Sequence, residues 1–159
     1  MPYNTFIRKT PMTTTFADYA AAQEARENIA LAVLGHTLAL CEALRQDYVA
    51  FCLRQHTHLI QKHGPDEHHQ REIDKLKDGI CPVEFVIETG RKYHKIKMID
   101  NRTGSGSAHA FVDKQTGEIY KPANWKGPAK NVRYDLRLIE QRGWLLENAD
   151  WAGNYLYQR

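Results

Sequence analysis

Two short runs with β-type side chains, residues 108–112 and 118–121, flank the link Asp113-Lys114-Gln115-Thr116-Gly117. An aspartate opening such a link accepts bonds from the amides that follow it. A glycine closing it supplies the left-handed conformation that returns the chain on itself. This stretch therefore predicts two adjacent antiparallel strands, and the surrounding chain has to accommodate them.

Upstream, residues 83–88 (Val-Glu-Phe-Val-Ile-Glu) are β-branched and aromatic, Thr89-Gly90 suits a short hairpin link, and residues 92–99 read as a second strand. Its period of two puts Lys95 and Lys97 on one face and Ile96 and Met98 on the other. After a Gly/Ser-rich loop at 101–107 the opening hairpin supplies strands three and four, so the order implies an antiparallel meander. Residues 128–138 are expected to form a short helix behind it, 145–151 a further helical turn, and 155–157 a last edge strand.

The first half reads differently. Residues 1–12 hold two prolines and no periodicity, which suggests an extended arm. Thr13-Thr14-Thr15 offers capping hydroxyls, so a helix should begin near residue 15. Leu34, Leu38, Cys41, Leu44 or Tyr48, Cys52 and Leu59 fall at helical spacings and make one apolar stripe. Gly35 interrupts it at a cost of about 1 kcal/mol, and two helices meeting there are expected. A single helix of more than forty residues would instead suggest a coiled-coil-like dimer. Gly64-Pro65-Asp66 then opens a polar helix over 66–77, with only Ile73 and Leu76 facing a core, and Asp78-Gly79 ends it.

The fold class is thus α+β: an N-terminal long helix or helical hairpin over 1–80, then a four- to five-stranded antiparallel sheet with a short C-terminal helical cover over 81–159. At 159 residues and 42% hydrophobic composition the chain can bury one core. The longest run without a charged residue, 28–41, falls short of the roughly 20 apolar residues of a membrane span. No apolar segment follows the basic residues near the start, so a secretory signal is not expected, and Cys41, Cys52 and Cys81 should stay reduced in a cytosol.

Charge is unevenly distributed. Residues 1–81 carry 9 Lys/Arg against 10 Asp/Glu, whereas residues 89–134 carry 10 against 3, a net of +7. Such a concentration in the β-rich part is how an anion-binding face looks in sequence. Single-stranded nucleic acid needs cations spaced to follow phosphates and flat rings on which bases stack. Tyr93, Lys95, Lys121, Trp125, Lys126, Lys130 and Arg133 supply both, and Gly127-Pro128-Ala129-Lys130 reads as a helix start whose free amides favour phosphate. The competing reading makes Trp125 a core plug and the lysines solvated.

Two other clusters point elsewhere. Cys52 and His56 sit at i, i+4, His63 follows one heptad later, and Asp66, His68 and His69 lie on the next helix. No Cys-x-x-Cys or His-Glu-x-x-His spacing accompanies them, so neither metal nor cofactor is expected. In His36-Thr37 and His56-Thr57 the hydroxyl follows at once and points about 100° away on a helix, which does not build a nucleophile and its base.

The block His109-Ala110-Phe111-Val112-Asp113-Lys114, Thr116-Gly117, Tyr120-Lys121-Pro122-Ala123, Trp125-Lys126 and Pro128-Ala129-Lys130 resembles one found in small, uncharacterised proteins of tailed bacteriophages. Arg91-Lys92-Tyr93 upstream and Tyr155-Leu156 downstream fit the same pattern, and the N-terminal helices lie outside it. The resemblance implies a phage origin and a host bacterial cytoplasm, and it transfers no catalytic residue. The expected function is a non-enzymatic phage accessory protein that binds an anionic partner, foremost nucleic acid. The alternatives are a protein-binding inhibitor of a host defence complex that presents the same basic face to a nucleic-acid channel or to an acidic host surface, and third a metal-dependent or nucleophilic enzyme. A homodimer through the N-terminal helices is an expected partner arrangement.

Overall fold

The computed structural model describes residues 15–157, so the expected arm at 1–12 lies outside them. Helix α1 (Phe16–His63) is continuous over 48 residues, roughly 72 Å at 1.5 Å per residue. Thr15 caps it through Oγ1, which accepts from the Asp18 amide at 3.0 Å. Gly64, at φ 89°, ends it. The expected break at Gly35 does not occur. Gly35 is exposed with nothing within 4 Å of a Cβ built there, and the Ala- and Leu-rich turns around it outweigh one unfavourable residue.

The apolar stripe is also rotated from its expected position. The buried positions are Val33, Thr37, Leu40, Cys41 and Leu44, flanked by Ile29 and Tyr48, while Leu38 is 54% exposed. Thr37 sits in the core because its hydroxyl donates to the Val33 carbonyl at 2.7 Å, leaving no polar atom unpaired. Residues 15–28 are exposed throughout, so the first three turns stand clear of the packed region. By length and composition α1 holds a stretch that meets the requirements of a membrane span. Counting charge-free residues misses it, since such a stretch tolerates a charge or two. One face of that stretch packs on the sheet.

Helix α2 (Glu67–Lys77) is capped by Asp66, whose Oδ1 accepts from the His69 amide at 3.1 Å, and buries Ile73 and Leu76 as expected. Then β1 (Val83–Thr89), β2 (Tyr93–Asp100), β3 (Gly106–Asp113), β4 (Glu118–Tyr120) and β5 (Tyr134–Asp135) form one antiparallel sheet in sequence order. In the opening hairpin, Asp113 Oδ1 accepts from the Gln115 and Thr116 amides, and Gly117 takes φ 78°.

Val83, Phe85, Ile96, Ala110, Val112 and Ile119 join Val33, Leu40 and Leu44 in one hydrophobic cluster, so α1 and the sheet share a core. A bulge at Ile96–Lys97 places His109 as an additional residue in β3, since Ile96 pairs with Ala110 and Lys97 with Ala108.

The C-terminal third departs most from expectation. Residues 128–138 contain no helix: β5 and a turn occupy them, and Asn131 takes φ 73°. Helix α3 (Ile139–Asn148) begins earlier than the expected 145. The expected edge strand at 155–157 is a 3-10 turn over Asn154–Leu156. Gly153, at φ 82°, and Asp150, whose carboxylate accepts from the Asn154 and Tyr155 amides, coil this segment so that Tyr155 and Leu156 both enter the core.

Candidate nucleic-acid interface

Helices cover one face of the sheet; the other carries Glu88, Tyr93, Lys95, Lys97, Phe111 and Tyr120. Across it folds the segment 121–129, a small hairpin. Pro122 bridges to Pro128, Ala129 N donates to the Lys121 carbonyl at 2.7 Å, and Ala123 N donates to Gly127 O at 3.0 Å. Asn124 shapes the tip, its Oδ1 accepting from the Lys126 amide at 2.8 Å and the Gly127 amide at 3.1 Å. This geometry replaces the helix start expected at 127–130. Proline ends the amide pattern here, and the tip presents Trp125 and Lys126.

Trp125 is not a core plug. It is 46% exposed and lies with one ring face over the Lys95 ammonium, 4.1 Å from the centroid, with Lys97 at 6.0 Å. Gly106 lies beneath it: a Cβ there would come within 2.8 Å of Ile99 Cδ1 and 3.7 Å of the Trp125 ring. Glu88, opposite Lys95 in the β1–β2 register, bridges both lysines, at 3.6 Å to Lys95 Nζ and 3.0 Å to Lys97 Nζ. The hydrogen bond from Lys97, then the charges of Lys97 and Lys95, hold the Glu88 carboxyl below its ordinary range. Lys95 itself is 8% exposed. Its charge is contained by Glu88, Trp125 and the Phe111 ring at 5.9 Å, so it orders this face from beneath.

Beside this cluster a cavity of about 220 Å³ is lined by Glu88, Arg91, Lys92, Tyr93, Phe111 and Lys126, among others. Tyr93 meets Phe111 and Tyr120 edge-on at 6.0 and 5.9 Å, and Lys92 lies 5.4 Å over the Tyr93 ring. Among the described residues, Arg91, Lys92 and Lys126 have no carboxylate within ion-pair distance. Arg91, Lys92 and Lys97 were absent from the expected set, although the alternation of β2 and the hairpin link before it contained the signal.

The remaining expected residues lie apart. Lys121 sits 4.8 Å over the Tyr157 ring. Lys130 is exposed. Arg133 is a clamp: its Nε donates to the Leu156 carbonyl at 2.6 Å, and its Nη1 donates to Lys130 O at 2.8 Å and Asn131 O at 2.7 Å. Of the seven, the fold brings together Tyr93, Lys95, Trp125 and Lys126.

The histidine cluster pairs rather than chelates. His56 Nδ1 and His69 Nδ1 are 2.8 Å apart, so one ring donates to the other, while Asp66 is taken up by capping. Burial, then the neighbouring His69, pushes the His56 pKa down. Among the described residues no three His, Cys, Asp or Glu side chains are placed to hold a metal ion. Thr37 bonds to its own helix, and His36 accepts from Arg142 Nη1 at 3.3 Å, so the His-Thr pairs make no nucleophilic unit. A cavity of about 450 Å³ beside α1 and α2 is lined by Tyr48, Cys52, His56, Glu72, Cys81 and Arg102, among others.

The chain matches, over residues 16–158, the model of a family of unknown function (DUF7717), and it belongs to that family. No curated protein and no solved structure matches it. The match takes in the N-terminal helix along with the sheet.

Proposed function

We propose that this family member binds single-stranded nucleic acid on the open face of its sheet, as a non-enzymatic accessory protein of a tailed bacteriophage in the host cytoplasm. The observation that carries the reading is Trp125: one ring face rests on Lys95, the ring is 46% exposed, and Lys126, Arg91 and Lys92 surround the neighbouring cavity. A base stacked on the outward face gains about 1–3 kcal/mol, and the cations follow the adjacent phosphates. The phage setting rests on the resemblance of the block from His109 to Lys130.

The test is anisotropy of a labelled single-stranded oligonucleotide across a salt series. Affinity should fall with a log–log slope of about −0.7 per neutralised phosphate. Lys126→Ala and Arg91→Ala should each weaken binding and flatten that slope, and Trp125→Ala should weaken it with the slope kept. Absence of binding to DNA or RNA at low salt refutes the reading.

A second reading, a protein inhibitor of a host defence complex, is favoured by the projecting turns of α1, where Phe16 is 85% and Tyr19 55% exposed. Exposed Leu31 and Leu38, one heptad apart, equally support a second copy packed along α1. Light scattering of wild type and Leu38→Glu decides the latter: a wild-type monomer removes it.

A further inference from the structure

On the core side of the sheet, where the 3-10 turn closes over β3, lies a cavity of about 320 Å³ that the nucleic-acid reading does not use. His109, the additional residue of the β3 bulge, lines it and is 7% exposed. Its Nε2 lies 2.8 Å from the buried Tyr155 hydroxyl, Phe85 packs edge-on at 5.5 Å, and its Cε1 edge faces Gly153 on the cavity wall. Burial lowers the His109 pKa to about 4, the Asp150 charge opposing this, so the ring is neutral at pH 7 and carries one N–H.

The position of that proton follows from pairing. If the Tyr155 hydroxyl donates to Nε2, the proton sits on Nδ1 and one N–H remains to be satisfied. The other tautomer leaves both Nδ1 and the tyrosine O–H without partners, in a site where each unpaired group costs about 1–3 kcal/mol. The first is favoured. Among the described residues nothing pairs with Nδ1. Around the cavity Met98, Pro122, Trp151 and Leu156 are apolar walls, and Lys121 brings an ammonium that has no carboxylate partner among the described residues.

We propose that this cavity binds a small carboxylate with a flat apolar body, an acceptor oxygen meeting the His109 Nδ1–H and the negative charge meeting Lys121. The volume lies at the lower end of small-molecule sites, which suits a single ring better than a larger ligand. The inference is independent of the oligonucleotide reading, because Trp125, Arg91 and Lys126 take no part in it.

The test uses benzoate, 4-hydroxybenzoate and indole-3-acetate as probes, followed by the imidazole carbon–proton signals of full-length protein. At least one should bind at millimolar concentration or tighter and shift the His109 Cε1 signal, and benzyl alcohol should bind more weakly. Lys121→Ala should weaken binding about tenfold, the loss of one charge-assisted contact. Ala152→Leu, which puts bulk into the cavity from an exposed position, should abolish binding with the circular dichroism spectrum unchanged. The proposal is overturned if no probe shifts His109, or if affinity in Lys121→Ala or Ala152→Leu equals that of wild type.

Discussion

Replacing Arg133 by alanine distinguishes a residue that holds the fold together from one that meets a ligand. Its guanidinium donates three bonds to main-chain carbonyls, of Leu156, Lys130 and Asn131. Lys130 and Asn131 are exposed, so water can replace the donor there and each bond contributes about 0.5 kcal/mol. Leu156 is 1% exposed, and depriving its carbonyl of a charged donor costs about 1–2 kcal/mol. The sum, about 2–3 kcal/mol, corresponds to a fall of about 4–12 °C in Tm for a chain of this size. Differential scanning calorimetry measures it, and hydrogen exchange should show the Tyr155 and Leu156 amides losing protection first. Arg133→Lys should recover little, because an ammonium cannot span three carbonyls in fixed directions. An unchanged Tm combined with weakened oligonucleotide binding would refute the reasoning and return Arg133 to the interface.

Other outcomes follow from the same geometry. Leu40→Ala, at a fully buried site, should cost about 2–5 kcal/mol in chemical denaturation, while Leu38→Ala should change stability by less than about 0.5 kcal/mol; equal effects would put the stripe back where the spacing first suggested. Gly35→Ala should stabilise by about 0.5–1 kcal/mol, since the site is open and helical, and a loss would mean the helix bends there. His109 is held neutral in the fold with its pKa near 4 against an ordinary 6.5, so the unfolded chain takes up the proton first. Stability should be unaffected above pH 6.5 and fall by on the order of 3 kcal/mol as pH drops toward 4. In His109→Gln the pH dependence in this window should be shallower by one proton, and parallel curves for variant and wild type would dismiss the assignment.

The hairpin at 113–117, the strand alternation and the α2 cap were legible because each is decided by neighbours in sequence: an aspartate, a glycine, a period of two. The α1 stripe was not, because leucines at 34 and 38 fit helical spacing as well as Val33 and Thr37 do, and only the sheet selects between the two faces. Arg133 and Lys95 read as ligand contacts because sequence reports charge without reporting what it meets. In the segment 121–129, Gly127-Pro128 reads as a helix start, whereas Pro128 faces Pro122 across a hairpin. Tyr155-Leu156-Tyr157 has strand alternation, and the deciding contact, the Asp150 carboxylate with the amides that follow, is a capping signal four and five residues away.

The closure of the core by Tyr155 and Leu156 sets a timetable for biosynthesis. With α1, all five strands and α3 made but nothing beyond residue 148, the cluster lacks Ala149, Tyr155 and Leu156, Tyr134 and Arg133 lack the Tyr155 and Leu156 carbonyls to which they donate, and Asp47 lacks the Trp151 amide. A free chain ending at residue 148 would therefore hold its meander against α1 with an open flank, where proteases and chaperones meet apolar strands. Seven or eight further residues end that exposure in one step. During synthesis the vulnerable interval lasts until residues 149–156 have left the ribosome.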